Sequence, residues 1–391
     1  MKEVINIAYL SDSDLPSTRA NTVHVLKMCS ELNNDCYNIT LFCNKYEEFE
    51  KKTLLKKYNI FKDFKIFAVE SRLNGKAKLL DYAFKKAKNV RNGDYDFCYG
   101  RSLLTLFLLR RKKPFIYESH IFPNRKIFFQ LEKKLLKSKN MVKLVVISTS
   151  LKKKYLESFP FLSDNQIVVL HDGADKVDFN SISCEFVDKR LIEYHNKNLT
   201  IGYIGHLYPG KCMEIVIEIA KKMKSHVFHI VGGTDEWVDY WKKQCESIEN
   251  VYFYGFIDNS LVNSYYSLLD VVILPFSSKI FYNKDKKDDI GQWISPLKLF
   301  EAMANNKCII SSKLPSIEEV ISDGINGLLV EPNDYEKWVF EINRCLMDPN
   351  LRLYMGNNAR QLFEAKYTWK NRASEIQKLI KHHLECVDKN E

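Results

Sequence analysis

The segment 295–301 combines residue types that can bind an anionic ligand. Ser295 is a suitable helix N-cap, and Pro296 suits the first helical position because its missing N–H group is not needed there. Lys298 and Glu301 lie three residues apart and therefore share one helix face. The free N–H groups at a helix start can hold a phosphate, and a carboxylate one turn deeper can accept two vicinal hydroxyls. The pattern suits a sugar-nucleotide, although a solvated Lys–Glu pair on an ordinary helix explains the spacing equally well.

Two other patterns raise the question of metal chemistry. Asp12-Ser13-Asp14 is a D-x-D sequence, but it follows the first predicted strand, where we expect a solvated loop. The ten cysteines are scattered, with no C-x-x-C pair and no histidine at metal-ligand spacing. They indicate free thiols in a reducing compartment and neither a disulfide framework nor a zinc site. We therefore expect no metal and no cofactor.

The opening of the chain predicts a βαβ unit and hence a parallel sheet. Ile5–Leu10 is typical of a buried strand, Ala20–Leu32 of a helix and 39–43 of a second strand. The intervening loop lacks G-x-G-x-x-G, which argues against a dinucleotide-dependent oxidoreductase. A second unit of the same kind opens at 199–204, after a polar and irregular stretch at 176–198 that we interpret as a linker.

A carboxylate and an imidazole follow another predicted strand. Glu118-Ser119-His120 comes directly after residues 115–117, which read as a buried strand. In open α/β sheets, ligands bind at the carboxyl ends of the strands. A lone loop histidine is more often incidental, but the pairing with Glu118 and the strand-end position favour a functional role.

The charge of the chain is uneven. Residues 1–175 carry 32 Lys and Arg against 19 Asp and Glu, a net charge of +13, whereas the remainder carries 27 against 30, or −3. A basic first half predicts an anionic partner. No nucleic-acid reader motif is present, so we expect no nucleic acid. Residues 125–136 read as a basic amphipathic helix for an anionic membrane surface, with a core helix that has a solvated lysine face as the alternative.

The same features predict a location. No apolar run reaches the roughly eighteen residues that a spanning helix requires. Residues 1–10 read directly as a strand and not as a signal peptide. We therefore expect a cytoplasmic protein in peripheral contact with the inner face of the membrane.

The order of elements in 293–334 resembles a known family. The helix after Ser295 leads to a buried strand at 308–310, a short helix at 317–321 and another strand at 328–330. This order, with its SPLK-FE-MA-like helix and its Gly-x-Asn-Gly-Leu-Leu-Val run, resembles the C-terminal half of the family 4 retaining glycosyltransferases (glycosyl transferases group 1) of the GT-B type. The resemblance implies an α/β fold of two Rossmann-like domains that face a central cleft, with a C-terminal helix that crosses back to the first domain.

The resemblance covers nearly the whole chain and divides it into parts. Residues 1–175 correspond to the N-terminal acceptor domain, which the C-terminal helix at about 370–388 joins. Residues 199–369 correspond to the nucleotide-sugar donor domain, and 176–198 remain the linker.

On the donor side, the resemblance implies a diphosphate clamp made by an arginine and a lysine five residues apart. Lys211 matches the lysine, but His206 stands in place of the arginine and cannot bind a phosphate in bidentate fashion. Trp293 replaces the first glutamate of the family's E-x7-E pattern, for which Asp288 or Asp289 is a candidate substitute. The implied donor-binding residues are His206, Lys211, Gly233, Phe256, Ile257, Ser295, Pro296, Leu297, Lys298 and Glu301.

On the acceptor side, the resemblance rests on two short patterns. Residues 20–25 resemble the family's ANxxHV entry to the first helix, and Tyr-x-Arg followed by Glu-x-His resembles its acceptor loops. The implied acceptor-side residues are Asn21, His24, Tyr99 and Arg101. The implied catalytic residues are His120, Glu118, Lys211 and Glu301.

The resemblance implies a retaining transfer of a sugar from a UDP- or GDP-linked donor to a hydroxyl of a glycan or lipid-linked glycan precursor in surface polysaccharide synthesis. In this family the leaving phosphate itself assists the incoming hydroxyl. Two alternatives stay open. A catalytically silent sugar-nucleotide binder is favoured by Trp293 and His206. A GT-B sugar-nucleotide epimerase would instead release free nucleotide and an altered sugar.

Overall fold

The chain forms two compact units. The computed structural model describes residues 4–17, 19–46, 51–60, 62–208, 211–277 and 291–388. Unit 1 consists of Met1–His171 and Trp369–Glu391, and unit 2 of Asp172–Thr368. The stretch 176–198, predicted as an irregular linker, belongs to unit 2 and includes a helix. Val187 and Leu191 are buried in the core there, so apolar packing makes this stretch part of a folded unit.

Unit 1 alternates strands and helices along the chain. Its strands are β1 (Ile5–Leu10), β2 (Asp14–Leu15), β3 (Tyr37–Cys43), β4 (Lys45–Tyr46), β5 (Lys65–Ala68), β6 (Phe97–Gly100), β7 (Phe115–Ser119), β8 (Met141–Val146) and β9 (Ile167–Val169). Its helices are α1 (Ala20–Leu32), α2 (Lys51–Lys57), α3 (Gly75–Asn92), α4 (Leu103–Leu109), α5 (Lys126–Leu136) and α6 (Thr149–Ser158).

Seven of these strands form one sheet in the order β5-β3-β1-β6-β7-β8-β9, and β2 pairs with β4 separately. All neighbouring strands of the large sheet run parallel. Strands buried on both faces read as near-continuous apolar runs, as β1 and β8 do here. The strand order changes direction between β1 and β6, which is where such sheets bind ligands.

Unit 2 repeats this pattern. Its strands are β10 (Ile201–Ile204), β11 (Phe228–Val231), β12 (Val251–Gly255), β13 (Val271–Leu274), β14 (Cys308–Ser312) and β15 (Leu328–Val330). Its helices are α7 (Lys189–His195), α8 (Met213–Lys222), α9 (Asp235–Gln244), α10 (Val262–Ser267), α11 (Leu297–Ala304), α12 (Pro315–Glu318), α13 (Tyr335–Met347) and α14 (Pro349–Lys366). The chain then returns to unit 1 through α15 (Trp369–Asp388).

The sheet of unit 2 is parallel, in the order β12-β11-β10-β13-β14-β15. The side chains of successive strand residues point to opposite faces of this sheet, and each face has its own apolar core. Ile310 packs in one apolar cluster and Ile309 in the other, as the alternation of side chains along a strand requires. Helices therefore cover both faces, and the free positions for a ligand lie at the strand ends.

Candidate functional site

Each unit carries candidate residues at the carboxyl ends of its central strands. In unit 1 the carboxyl ends of β6 and β7, the residues that follow them and the start of α1 hold the predicted acceptor-side residues together with Glu118 and His120. In unit 2 the loops after β10, β11 and β12 and the start of α11 hold the predicted donor-binding residues. Both groups lie where parallel sheets bind ligands.

Glu118 is the centre of a buried cluster at the end of β7, and its side chain is fully buried. Its Oε1 lies 2.9 Å from His24 Nε2 and 3.0 Å from Arg372 Nη2. His120 Nε2 contacts the same oxygen, and the Tyr99 hydroxyl donates a hydrogen bond to Oε2. The structure thus brings together four residues that the sequence predicted separately and adds Arg372.

The Glu118 carboxyl group is kept ionised by this cluster. Burial alone would raise its pKa, but the charge of Arg372, then that of His24, and hydrogen bonds from both histidines hold the pKa well below its usual range. A carboxylate only accepts hydrogen bonds, so His24 and His120 each present an N–H at Nε2 toward it. Glu118 therefore fixes the orientation and the hydrogen-bonding state of His120.

His120 is the member of the cluster that can meet a substrate. Its side chain is 10% exposed, against 2% for His24 and 0% for Glu118. The His24 ring lies edge-on between the rings of His120 and Trp369, with centroids 4.9 Å and 5.3 Å away. This packing fixes His24 in place, so the geometry suits His120 for substrate contact and Glu118 for positioning.

The cluster also has the spacing of a metal site, but its charge opposes one. His24, Glu118 and His120 each place one ligand atom within 4.8 Å of the others. The Arg372 guanidinium contacts the same carboxylate oxygen and would stand beside the cation. Like charges at this separation repel strongly in a buried site. The absence of a metal remains our expectation.

The loop after β1 is fixed from two sides. Arg101 donates a hydrogen bond to Asn21, whose amide in turn donates to Ser13 Oγ at 2.8 Å. Asp12 is not the freely solvated residue that the sequence predicted, because the fully buried Lys86 places its Nζ 2.6 Å from Asp12 Oδ1. Half of the Asp12 side chain is exposed, but its charge is committed to Lys86.

Sequence reasoning missed Arg372, which lies on α15. Its guanidinium contacts Glu118 and donates to the carbonyl oxygens of Leu170 and His171. A signal was present, because Arg372 adjoins the apolar stripe of Trp369, Ala373, Ile376 and Ile380. An arginine on the buried face of an amphipathic helix needs a carboxylate or carbonyl partner.

Lys298 places a shielded amine in the first turn of α11. Its Nζ atom is inaccessible to solvent although the residue as a whole is half-buried, and it has no hydrogen-bond acceptor among the described residues. The atom lies 4.1 Å and 4.4 Å from the ring centroids of Tyr203 and Phe276. Burial, and then the charge of Lys211, lower the pKa of Lys298 well below its usual value.

Two smaller effects act in the opposite direction. Cys212 and then Glu301, which is half-buried one turn further along α11, raise the pKa of Lys298, but burial and Lys211 outweigh them. An anionic ligand beside Lys298 and Lys211 would supply the missing counter-charge. The structure therefore brings together Lys211, Lys298 and Glu301.

The loops after β10 and β11 approach each other through glycines. At Gly232 (φ +110) the carbonyl oxygen of Gly205 occupies the place of a Cβ atom. At Gly233 (φ +84) a Cβ would lie 2.6 Å from Cδ1 of Leu207. Only glycine fits both the positive φ and the space. The residues that directly follow β10 and β11 are therefore packed against each other.

His206, Phe256 and Ile257 lie at the same edge of the sheet. The His206 carbonyl accepts a hydrogen bond from the Tyr203 hydroxyl at 2.8 Å, and its half-buried ring lies 5.6 Å from that of Tyr208. Phe256 follows β12, the edge strand, and is 49% exposed, whereas Ile257 is half-buried. These residues lie on loops separate from α11.

The start of α11 differs from the prediction. The helix begins at Leu297, and Pro296 is the N-cap with an extended backbone, so Pro296 is not the first helical residue. Ser295 is not the cap, because its Oγ accepts a hydrogen bond from the Asp172 amide at 2.8 Å. The first-turn amides have no side-chain cap, which suits binding of an external anion.

A tryptophan occupies the position of the expected carboxylate. Trp293 is 9% exposed and lies just before α11. The proposed substitutes, Asp288 and Asp289, lie outside the described residues.

Comparison with known sequences bears on unit 2 directly. Residues 188–362 match the family Glycosyl transferases group 1. This range contains every strand of unit 2 and all the predicted donor-binding residues, including Lys211, Lys298 and Glu301.

Curated proteins with similar sequences include glycosyltransferases. An uncharacterized glycosyltransferase of Methanocaldococcus jannaschii is 27% identical over 243 residues, which cover 61% of this chain and 57% of that protein. The capsular polysaccharide biosynthesis glycosyltransferase CapM of Staphylococcus aureus is 24% identical over 237 residues, 58% of this chain and 57% of CapM. The chain thus spans less than two thirds of these relatives.

Solved structures match over almost the full length. A glycosyltransferase from Rickettsia africae has a TM-score of 0.76 at 16% identity and covers 97% of this chain and 99% of its own. Anabaena HepE in complex with UDP-glucose has a TM-score of 0.71 at 16% identity, with 97% and 100% covered. These likenesses confirm the predicted α/β fold of two Rossmann-like domains, the GT-B fold.

A helix that crosses a membrane must be both long and apolar. None of the helices in the described part of the chain meets both conditions.

Proposed function

We propose that this protein is a retaining glycosyltransferase that moves a sugar from a UDP- or GDP-linked donor to a hydroxyl of a glycan or lipid-linked glycan precursor in surface polysaccharide synthesis. The observation that carries the proposal is the shielded Lys298 amine beside Lys211 and one turn before Glu301. This arrangement suits a diphosphate and the vicinal hydroxyls of a ribose. The group 1 match over the same residues, and a structural relative described with UDP-glucose, support it.

The chemistry assigned to unit 2 is stabilisation of the leaving group. As the bond between sugar and diphosphate breaks, negative charge grows on the diphosphate. Lys211, Lys298 and the uncapped amides of α11 are donors for that charge, and donors held in place before the reaction lower its barrier. In the retaining reaction the leaving phosphate itself takes the proton of the incoming hydroxyl, so no covalent protein nucleophile is invoked.

The chemistry assigned to unit 1 is recognition on the acceptor side. His120 contacts substrate, and its ring is held by the ionised carboxylate of Glu118. Glu118 acts as a positioning residue in this scheme, since its side chain is fully buried. Asn21 and Arg101, joined by a hydrogen bond, line the neighbouring loop.

The basic character of unit 1 supports a cytoplasmic enzyme that works at the inner face of an anionic membrane. The residues of unit 1, 1–171 and 369–391, have 37 Lys and Arg against 21 Asp and Glu, a net charge of +16. A lipid-linked acceptor would be presented at such a surface, and positive charge raises the local concentration of a protein there.

The test combines binding and turnover. Thermal unfolding would be followed with UDP, GDP, ADP and CMP, for the wild type, Glu301→Ala and the surface control Glu249→Ala. One diphosphate should raise the melting temperature by mass action, and Glu301→Ala should lose that rise while Glu249→Ala retains it. Release of the nucleotide from its sugar conjugate would then be measured with and without acceptor glycans.

Each other result has a defined meaning. Absence of a shift with any nucleotide contradicts the proposed donor site. Binding without turnover in the presence of lipid-linked and soluble glycan acceptors would favour the silent binder. Acceptor-independent release of nucleotide together with an altered sugar would favour the epimerase.

A further inference from the structure

Helix α3 carries a stripe of exposed apolar side chains flanked by lysines. Leu80 and Phe84 are 50% and 58% exposed. Lys76 and Lys88, both exposed, precede and follow them at the same spacing of four residues. Residues four apart lie on one helix face, so Lys76, Leu80, Phe84 and Lys88 form one line, the α3 stripe. Leu79, beside it, is 49% exposed.

The part of the chain that contains the α3 stripe is strongly basic. Between residues 51 and 150 the chain has 25 Lys and Arg and seven Asp and Glu. Within α3 the acidic residue is Asp81, which is paired with Lys85 at 2.8 Å and so neutralised. Arg91 of α3 donates to the Leu108 carbonyl of α4 and extends the basic surface toward that helix.

The helix that the sequence suggested for membrane contact is less suited to it. On α5 the apolar residues Leu135 and Leu136 are buried in the core together with Glu132. Ile127, at the first turn, is 67% exposed. Helix α5 thus mainly follows the alternative of a core helix with a solvated basic face, and α3 presents more apolar area.

We propose that the α3 stripe docks on the surface of an anionic lipid bilayer. This inference rests on the proposed function, in which the acceptor is held at a membrane, and it names the surface of unit 1 that makes the contact. Apolar side chains enter the boundary between headgroups and acyl chains, while lysines at both ends pair with lipid phosphates. The combination of exposed large apolar residues and uncompensated positive charge favours a bilayer over a protein partner.

Unit 2 provides a comparison within the same chain. Phe340 and Met347 on α13 are 58% and 83% exposed, as apolar as the α3 stripe. Residues 172–368, which form unit 2, have 22 Lys and Arg against 28 Asp and Glu, a net charge of −6, so an anionic surface does not attract this unit. Helices α3 and α13 therefore expose large apolar residues to a similar degree, but they belong to units of opposite net charge.

The experiment is co-sedimentation of the full chain with vesicles of phosphatidylcholine alone or mixed with phosphatidylglycerol. The wild type should bind the anionic vesicles and not the neutral ones. The double variant L80Q/F84Q should lose binding about tenfold or more. The double variant K76Q/K88Q should lose about thirtyfold, given the typical contribution of a lysine near an anionic bilayer.

Matched variants in unit 2 serve as controls. F340Q/M347Q and the exposed lysine pair K242Q/K243Q on α9 should bind vesicles as the wild type does. Absence of wild-type binding, or equal loss in the α3 and unit 2 variants, overturns the proposal. A wild-type dimer in sedimentation velocity that L80Q/F84Q abolishes would assign the stripe to a second copy instead.

The same preparations separate this inference from the proposed function. The α3 variants should keep the thermal shift with nucleotide, which also shows that they are folded. Vesicle binding without a nucleotide shift contradicts the donor site alone, and a nucleotide shift without vesicle binding contradicts the α3 docking surface alone.

Discussion

Two buried glutamates of unit 1 show how neighbours decide the charge of a side chain. Burial raises the pKa of both. Around Glu118 the arginine and the histidines outweigh burial and hold the pKa well below its usual range. Glu132 has hydrogen bonds from Tyr117 and Tyr155 but no cationic partner among the described residues, so burial raises its pKa to about 7. Glu118 is therefore an anion at neutral pH, whereas Glu132 changes charge near it.

Removing the charge of Glu118 should destabilise unit 1. Glu118→Gln leaves the buried Arg372 without its carboxylate, and breaking a buried ion pair typically costs about 3–5 kcal/mol. Urea unfolding at neutral pH measures the change, with the exposed Glu157→Gln on α6 as the control. Because the pKa of Glu118 is lowered, its stabilisation should be present above the ordinary carboxyl pKa and be lost as the pH falls through the lowered value. An unchanged midpoint would contradict the ion pair.

Glu132 should give the opposite pH dependence. Its raised pKa means that its stabilising contribution is present below the ordinary carboxyl pKa and is lost as pH rises through about 7. Glu132→Gln cannot ionise, so its stability relative to the wild type should increase by on the order of 3 kcal/mol between about pH 5 and pH 9. Urea unfolding across that range tests this. A difference that stays constant with pH would show that Glu132 does not titrate there.

Lys298 should lower the stability of the free protein and increase its affinity for the nucleotide. Lys298→Met replaces a shielded amine, which has no hydrogen-bond acceptor among the described residues, with an apolar side chain of similar size. The free protein should therefore melt at a higher temperature, while affinity for the nucleotide should fall on the order of tenfold to a hundredfold. Calorimetry of both quantities, with the exposed Lys313→Met as control, checks this. A variant that loses stability and keeps affinity would identify a structural lysine.

At the scale of elements, the same feature of sheet topology positions the candidate residues of unit 1 and those of unit 2. In each sheet the strand order turns at one point, between β1 and β6 in unit 1 and between β10 and β13 in unit 2. The Glu118 cluster lies beside the first point, with Tyr99 on β6 and Glu118 on β7, and Lys211 follows β10 at the second. Glycines after the strands, such as Gly205 and Gly232, allow the backbones of neighbouring loops to approach each other closely.

Gly232 should be irreplaceable for that reason. In Gly232→Ala the new methyl group meets the Gly205 carbonyl oxygen, and φ is +110. Gly324→Ala is a matched control, because φ is +74 but no atom lies within 4 Å of the new methyl group. The control should cost about 1 kcal/mol for backbone strain, and Gly232→Ala clearly more. If urea unfolding shows that Gly232→Ala and Gly324→Ala lose the same stability, the loops after β10 and β11 can move apart to accommodate the methyl group.

At the scale of the whole molecule, two compact units divide the charge of the chain. Unit 1 holds the basic stretch with the α3 stripe, and unit 2 holds the match to glycosyl transferases group 1. The chain crosses between them near residue 171 and again near 368. The proposed ligands are therefore assigned to different units.

Hydrogen exchange should show this division. The bound nucleotide should slow exchange in unit 2, at 201–222 and 297–304, and leave 75–92 unchanged. Anionic vesicles should slow exchange at 75–92 and leave 297–304 unchanged, because ligand contacts protect the segments they cover. Protection of 75–92 by nucleotide alone would contradict the separate assignment.

The sequence by itself determined the fold class and predicted most of the residues of both candidate sites. Apolar runs separated by amphipathic helices allow only parallel sheets with helices on both faces, and the strand β1 and helix α1 begin and end where the pattern predicts. Short motifs with fixed spacing, such as Glu118 with His120, also lie together in the structure, because Glu118 is near the end of β7 and His120 directly follows that strand.

Only the tertiary structure decided how those residues are charged and paired. Arg372 lies 254 positions after Glu118 yet contacts it, and no local pattern encodes that pair. Ser295 suits an N-cap by residue type, but the Asp172 amide, more than a hundred residues earlier, takes its hydroxyl. The amphipathic pattern of 125–136 left its apolar face undecided between membrane and core, and packing within unit 1 buried Leu135 and Leu136 while Ile127 stayed exposed. Local preferences amount to about 1 kcal/mol, and long-range burial and pairing outweigh them.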